Sequence, residues 1–375
     1  ELTSMKNNNF ISLIILYVGY AWFMKIGGAI VPAYLHQAGT SINNLFIANA
    51  IQFLPMVGIL VFVRMRSAKA AWRASLIFGL LSFVTIINIQ SPYQVYLTYL
   101  LGGASLALFF VYYNIGHFLY TPKGKTGTSG ALMYAISPSI SIVAPLLAGT
   151  LAVNNINYLW LLALISFGVA FALTYRQSDF VVDYTLSKTL DAIKSTRVPI
   201  FIEGVWESVL FAIIPVLTLN FISDIGNYGR YLAYLSLIGT IAGLILGRYT
   251  DKYGKRSYLL VPISIILSIL TLALIIGQQS LIAWIIITSL IQMVIPIFWN
   301  IMTALVVDQG ADLKIVFPGR EIILATGRLV GLSCTAYLVS IGQVNIALIL
   351  LSLVILTLPA YLHYQSKVLN QFHYL

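Results

Sequence analysis

The chain has 375 residues, of which 59% are apolar and only 9% are charged, with a formal net charge of +10. A soluble domain carries about 25% charged residues, so this composition excludes a soluble globular protein and favours a polytopic membrane protein. The basic residues form short clusters between apolar runs, which argues against a nucleic-acid partner. The single cysteine, Cys334, excludes a disulfide framework or a cysteine metal site.

Long apolar runs recur along the whole chain, and a membrane span needs about 20 mostly apolar residues. We number the predicted spans 1 to 12 in chain order: 10–33, 42–63, 73–90, 92–117, 130–153, 157–175, 198–222, 230–247, 257–276, 281–306, 320–341 and 345–362. This pattern predicts an all-α membrane protein with 12 transmembrane helices.

One long polar connection divides the spans into six plus six. We therefore predict an N-terminal six-helix bundle (1–175), a cytoplasmic central loop (176–197) and a C-terminal six-helix bundle (198–375). The stretch Ala29-Ile-Val-Pro32 recurs as Ala212-Ile-Ile-Pro215, and Arg64 after span 2 corresponds to Arg248 after span 8. Such matches are typical of the internal repeats of transporters, which form pseudo-symmetric halves.

The distribution of Lys and Arg predicts the orientation. If the N-terminus lies inside, all but three of the 21 basic residues fall in inner segments; the exceptions are Arg230, Lys25 and Arg328. The positive-inside rule then places both termini in the cytoplasm. The outer loops carry no N-glycosylation sequon, which favours a multi-pass protein of a prokaryotic inner membrane.

Charged residues inside spans are candidates for function, because each costs about 2.5–3.5 kcal/mol at the bilayer centre on insertion scales. In span 7, Glu203 and Glu207 are four residues apart and share one helix face, about 6 Å apart along the axis. Two carboxylates at low dielectric do not both stay ionised readily, so one is a candidate proton carrier. The alternative is a structural pair neutralised by nearby cations.

Lys25 in span 1 is the corresponding cation of the first half. The repeat shift maps Lys25 onto Ser208, the neighbour of Glu207, so Lys25 and Glu207 are expected at similar depth and are candidates for pairing. Lys25 is also a candidate for binding an anionic substrate group; the alternative is a permanent structural ion pair. In span 11, Glu321 and Arg328 share a face, and an Arg328–Glu203 pair would serve either structure or coupling.

The loop after span 8, Gly247-Arg-Tyr-Thr-Asp251-Lys252-Tyr-Gly254-Lys255-Arg256, resembles the signature loop of the major facilitator superfamily. The resemblance extends to the six-plus-six layout and implies that fold over essentially the whole chain. It also implies a gating role for the glycines, Asp251 and the cations of this loop; the alternative is ordinary positive-inside topology. The corresponding first-half loop, residues 64–73, keeps the positive charge but lacks Asp and Gly.

The resemblance also implies which spans form the central cavity, namely spans 1, 4, 7 and 10. Further substrate-site candidates on these spans are Tyr20, Tyr113, Asn114, Gln292, Trp299 and Asn300. The alternative for any aromatic residue among them is ordinary packing in a membrane helix. Spans 5 and 8 are expected to pack together, with the small residues Gly239, Gly243 and Gly247 of span 8 facing span 5.

No phosphate-binding loop, metal-ligand cluster or hydrolase motif is present in the sequence. We therefore expect no enzyme activity and no cofactor, with a proton gradient as driving force. The sequence predicts a monomeric secondary active transporter that moves a small anionic or zwitterionic organic solute by alternating access, with protons and the lipid bilayer as its other partners. The alternatives are efflux of drugs or amphiphiles by proton antiport, motivated by an antiporter-like stretch in span 5, and a non-transporting receptor or assembly partner.

Overall fold

The computed structural model describes residues 2–87, 89, 91–121, 126–250, 257–307 and 312–368, and this part of the chain is built from helices. The α-helices are α1 (Leu2–Gly28), α2 (Val31–Gln37), α3 (Ile42–Ile51), α4 (Leu54–Gly58), α5 (Ala68–Ile86), α6 (Pro92–Tyr120), α7 (Thr126–Leu173), α8 (Leu186–Ala192), α9 (Arg197–Trp206), α10 (Ile214–Leu217), α11 (Ile225–Thr250), α12 (Ser257–Gly277), α13 (Leu281–Val307), α14 (Leu313–Ser340) and α15 (Val344–Val368).

Ten helical segments of the described chain are long and apolar enough to cross a membrane. One of them, Ile136–Arg176, covers most of predicted span 5 and all of span 6, which are separated at Asn155 by a non-helical backbone (φ −163°, ψ 114°). Many large apolar side chains are exposed on the outer helix faces, such as Ile269 at 60% and Ile282 at 73%. Such a surface requires a lipid environment, as expected for a multi-pass membrane protein.

Spans 1, 2 and 7 are interrupted helices. Span 1 breaks between Gly28 and Val31, and span 7 continues from α9 into a π-helix (Val209–Ile213) before α10. A second π-helix (Ile59–Val63) ends span 2. A proline follows the break or lies near it in each case. Proline has no backbone N–H and cannot complete the helical hydrogen bonds, which accounts for the interruption. Since π-helical turns often occur at functional sites, the turn after Glu207 is a feature of interest.

Two helix pairs approach closely through glycine. In the first, α7 packs against α11, where a Cβ at Gly149 would lie 3.1 Å from the Ile225 carbonyl oxygen and a Cβ at Gly229 would overlap the Pro145 carbonyl. Spans 5 and 8 thus pack together, but the predicted glycine contact is wrong. Gly239 and Gly243 instead face Gln292 and Pro296 of α13. The contact with α7 is formed by the first turns of α11, which precede these two glycines.

The second close pair is α9 with α14. A Cβ at Gly327 would lie 2.5 Å from the Phe201 carbonyl oxygen, and Cβ atoms at Gly204 and Gly331 would overlap backbone carbonyls of the other helix. Glycine is therefore required on both helices at this contact. The backbones approach closely enough for short side chains of span 7 to reach the polar side chains of span 11.

The segment between span 6 and span 7 is folded onto both halves. Asp179 accepts hydrogen bonds from the Ser67 hydroxyl (2.8 Å) and the Lys69 backbone N–H (3.0 Å), and Ser67 and Val181 form an antiparallel bridge. At its other end, the Thr189 hydroxyl of α8 donates to the Ile315 carbonyl of α14. The predicted polar loop is thus an ordered connection between the two halves.

Partial burial opposes ionisation of the Asp179 carboxyl, but hydrogen bonds from Lys69, Ser67 and Phe180 and the charge of Lys69 outweigh it. Together they hold the pKa of Asp179 below its usual range. This carboxylate therefore stays ionised at neutral pH and fixes the start of α5.

Candidate functional site: a cavity beside a buried charge network

A cavity of about 470 Å³ lies between the two halves. Because successive spans alternate in direction, most of its lining residues belong to the half of the bundle away from the chain termini, which we call the far side. The lining is largely apolar and aromatic, and its large side chains are Phe23, Phe83, Tyr99, Phe211, Tyr228 and Trp299. Its size and lining are typical of sites for small organic molecules.

Lys25 is the one charged side chain among the described residues that line this cavity. It is half-buried and forms no ion pair within the described part of the chain. The expected pairing with Glu207 is not formed, because both carboxylate oxygens of Glu207 have other partners. Lys25 therefore presents a positive charge to the cavity.

Glu207 is fully buried at the junction between α9 and the π-helix. One oxygen lies 2.5 Å from Arg328 Nε of α14, and the other accepts a 2.6 Å hydrogen bond from the Trp299 indole N–H of α13. Because Trp299 also lines the cavity, a single side chain joins the cavity to this ion pair.

Glu203 lies one turn before Glu207 and is also fully buried. One of its oxygens lies 3.5 Å from Arg320 Nη2, while Arg320 Nη1 makes a shorter 2.6 Å contact with Glu321. The second oxygen of Glu203 has no hydrogen-bond partner in the described structure. Asn114 of the first half donates to Glu321 at 3.5 Å, so this cluster also joins the two halves.

The two charge clusters together form a network of three carboxylates (Glu203, Glu207 and Glu321) and two guanidiniums (Arg320 and Arg328). The predicted Arg328–Glu203 pair is wrong, because each glutamate of span 7 pairs with a different arginine. Arg328 faces Glu207, one turn deeper, and Arg320 faces Glu203. With all five groups ionised, these described residues together carry one excess negative charge.

Two phenylalanine rings pack against the Arg328 guanidinium, and one of them, Phe211, also lines the cavity. The Arg328 guanidinium lies 4.9 Å from the Phe211 ring centre and 5.4 Å from that of Phe53, and the two rings meet edge to face at 5.5 Å. Cation–π contacts of this kind stabilise a guanidinium away from water. The rings thus hold Arg328 in place, and Phe211 presents another surface to the cavity.

The sequence reasoning missed Arg320 as a site residue, although Arg320 is only 6% exposed. The predicted start of span 11 at residue 320 places Arg320 at the edge of an inner segment. α14 begins instead at Leu313, so Arg320 lies two turns inside the helix. Its spacing of eight residues from Arg328, on the same helix face, was the available signal.

The other predicted site residues fall into three groups. Gln292 lines the cavity with Trp299. Tyr20 and Tyr113 are buried within the first half, where Tyr20 forms a hydrogen bond with Ser105 (3.2 Å) and Tyr113 forms one with His117 (3.1 Å). Asn300 is half-buried and is not among the residues that line the cavity. Most residues of the predicted gate lie outside the described part of the chain, namely Asp251, Lys252, Gly254, Lys255 and Arg256. Gly247 is described only as part of α11.

Contacts between the halves exist on both sides of the cavity. On the side of the termini, Phe118 of α6 stacks on Phe317 of α14 at 5.7 Å. On the far side, the Gln37 amide donates to the Ser223 carbonyl at 3.1 Å. Within the described residues, no cluster of His, Cys, Asp or Glu is arranged to hold a metal ion.

The fold is that of known membrane transporters. A bacterial homologue of the iron transporter ferroportin in an outward-facing state superposes with a TM-score of 0.66 at 14% identity, and 96% of this chain and 99% of that chain are covered. A transporter of the POT family, solved in complex with a thioalcohol-conjugated peptide, gives a TM-score of 0.65 at 9% identity, with 96% of each chain covered. No family profile and no curated relative match the sequence. The predicted all-helical, polytopic membrane fold is thus confirmed, and it is the fold of these transporters.

Proposed function

We propose that this protein is a proton-coupled secondary transporter, which moves a small anionic or zwitterionic organic solute across the cytoplasmic membrane by alternating access. The observation that carries the proposal is the Trp299 bridge, because one side chain of the cavity wall holds one end of a buried charge network. In this proposal the protein works as a monomer with both termini in the cytoplasm, and its twelve spans form two moving halves.

The proposed proton carrier is Glu203. The network has one carboxylate more than it has guanidiniums, and an unpaired buried charge is costly at low dielectric. Glu203 has the longest contact to an arginine and an oxygen without a hydrogen-bond partner. One proton on this carboxylate neutralises the network without breaking the shorter ion pairs of Glu207 and Glu321.

The proposed coupling runs through Trp299. A solute that packs against the indole competes with the 2.6 Å bond to Glu207. When that bond is lost, the Glu207–Arg328 pair is held from one side only, and span 7 can shift at the π-helix relative to span 11. Protonation of Glu203 weakens the second tie between the same spans. Drug efflux, the alternative, shares the aromatic cavity lining but gives no role to Lys25.

The distance between the halves tests this proposal without a known substrate. Spin labels at the exposed far-side positions Asn43 and Ser223, in a background in which the exposed Cys334 is replaced by Ala, report separation of the halves. We expect the distance distribution to change as the pH is lowered.

Matched glutamine variants identify the titrating group. Glu203→Gln is expected to hold the distribution of low pH at every pH, because the amide mimics the protonated acid. Glu207→Gln is expected to keep the pH response. A wild-type distribution that does not respond to pH, or a Glu203→Gln protein that responds normally, contradicts the proposal.

A further inference from the structure

The polar side chains of the cavity differ in whether they already have partners. Asn49 donates to the Leu45 carbonyl, Ser82 to the Thr98 carbonyl and Ser141 to the Ser137 carbonyl, so these groups are satisfied by the protein itself. A ligand gains little from groups that already have partners, because it must break one hydrogen bond to form another.

Four polar side chains of the cavity have no partner among the described residues: Lys25 of span 1, Gln52 of span 2, Ser236 of span 8 and Gln292 of span 10. Lys25 brings a positive charge with three donors, and each glutamine brings an amide with two donors. They come from both halves, so a ligand that they hold touches both moving parts.

The cavity contains no matching negative group. None of the described lining residues is Asp or Glu. The buried carboxylate of Glu207 lies behind Phe211 and Trp299, and both of its oxygens already accept hydrogen bonds, from Trp299 and Arg328. A zwitterion would bring an ammonium into a site with one cation and no anion. The aromatic side chains around Lys25 favour an apolar body of the ligand.

We infer that the cavity binds a small organic monoanion with an apolar, preferably aromatic, body, whose anionic group is held by Lys25 and the two glutamine amides. This narrows the anionic-or-zwitterionic class to the anion. The role of the cavity as a transport site rests on the proposed function, whereas the preference for an anion concerns binding alone and can be tested separately.

Five probe molecules separate the contributions of charge and body. Phenylacetate is the anion with an apolar body, phenylacetamide its neutral counterpart, phenethylammonium the cation, phenylalanine the zwitterion and acetate the anion without the body. Binding of each to the full-length protein in detergent is measured by thermal shift and by titration calorimetry. We expect phenylacetate to bind at least about tenfold more tightly than the other four. Phenylacetamide and phenethylammonium lose the charge-assisted contact to Lys25, phenylalanine buries an ammonium without a partner, and acetate lacks the apolar body.

Variants of Lys25 provide the matched test. Lys25→Met keeps the length and apolar stem of the side chain and is expected to remove the preference for phenylacetate over phenylacetamide; Lys25→Arg is expected to keep it. Gln292→Leu is expected to weaken phenylacetate by a smaller factor. Lys25→Met must show the thermal unfolding of the wild type without ligand, and Lys25→Arg controls for any effect on folding.

The outcomes separate this inference from the transport proposal. Tighter binding of phenylalanine, phenethylammonium or phenylacetamide, or binding of none of the five at millimolar concentration, overturns the inference. Equal binding of acetate overturns the requirement for an apolar body. Phenylacetate binding without flux of labelled phenylacetate above protein-free proteoliposomes supports the inference and contradicts transport. Flux of all aromatic probes without regard to charge supports transport and contradicts the inferred preference for an anion.

Discussion

At the scale of single residues, the Glu207–Arg328 pair is the contact whose loss has the largest expected cost. Arg328→Ala leaves Glu207 fully buried with an uncompensated charge, which destabilises a protein by about 3–5 kcal/mol. The double variant Arg328→Ala with Glu207→Gln is expected to recover part of this loss, because position 207 then no longer carries a charge. Thermal unfolding in detergent measures both effects.

An exposed ion pair of the same protein serves as the control. Arg66 and Asp183 lie 3.7 Å apart with side chains that are 76% and 68% exposed. Such pairs contribute about 0–1 kcal/mol, so Arg66→Ala should leave the unfolding temperature almost unchanged. If Arg328→Ala were as harmless as Arg66→Ala, the network would not hold span 7 to span 11.

At the scale of helices, the α9–α14 contact sets the geometry of the network. Gly327→Ala introduces a methyl group 2.5 Å from the Phe201 carbonyl, and overpacking of this kind costs about 1–3 kcal/mol. Because Gly327 precedes Arg328, the helices should separate where Arg328 meets Glu207. We expect a lower unfolding temperature and a weakened pH response of the distance between the halves.

The matched control is Gly168→Ala in α7. A Cβ at Gly168 meets no atom within 4 Å, and alanine is favoured over glycine in a helix interior by about 1 kcal/mol. This variant should be neutral or slightly stabilising. Equal destabilisation by both variants would show that the loss at Gly327 does not arise from close packing.

The ordered connection at Asp179 gives a pH dependence outside the membrane. The pKa of its carboxyl is lowered in the folded protein, so its stabilisation is complete above the ordinary aspartate pKa and is lost as the pH falls through the lower folded value. Hydrogen exchange of residues 66–70 and 180–182 should be several-fold faster in Asp179→Asn at neutral pH. The difference should disappear in acid; a difference that persists there would point to another cause.

At the scale of the whole molecule, length and hydropathy were enough to predict an all-helical membrane protein, whereas the major facilitator architecture was implied only by the resemblance of the loop after span 8 and the six-plus-six layout. The twelve-span count stays a prediction, as do the domain boundaries. Helix ends were less predictable: Leu313–Gly319 contains Lys314 and Pro318, which favour an inner loop up to residue 319, yet it forms the first turns of α14. This error of two turns concealed Arg320.

The partners of the buried charges were not predictable from sequence for a related reason. Helical periodicity places Glu203 and Glu207 on one face, but which arginine meets which glutamate depends on the offset between α9 and α14. That offset is set by the glycine contacts at Gly204, Gly327 and Gly331, which depend on packing in three dimensions. The bond between Trp299 and Glu207 depends in the same way on the position of α13.

The Trp299–Glu207 bond also has an optical consequence. Of the protein's six tryptophans, Trp206 and Trp284 donate their indole N–H to threonine hydroxyls, at 3.0 Å and 2.9 Å, whereas Trp299 donates to a carboxylate. A negative charge beside an indole perturbs its excited state far more than a neutral hydroxyl does. The intrinsic tryptophan fluorescence of this protein therefore contains a component whose emission wavelength depends on whether Trp299 is bonded to Glu207. This fluorescence reports directly on the contact between the cavity wall and the charge network.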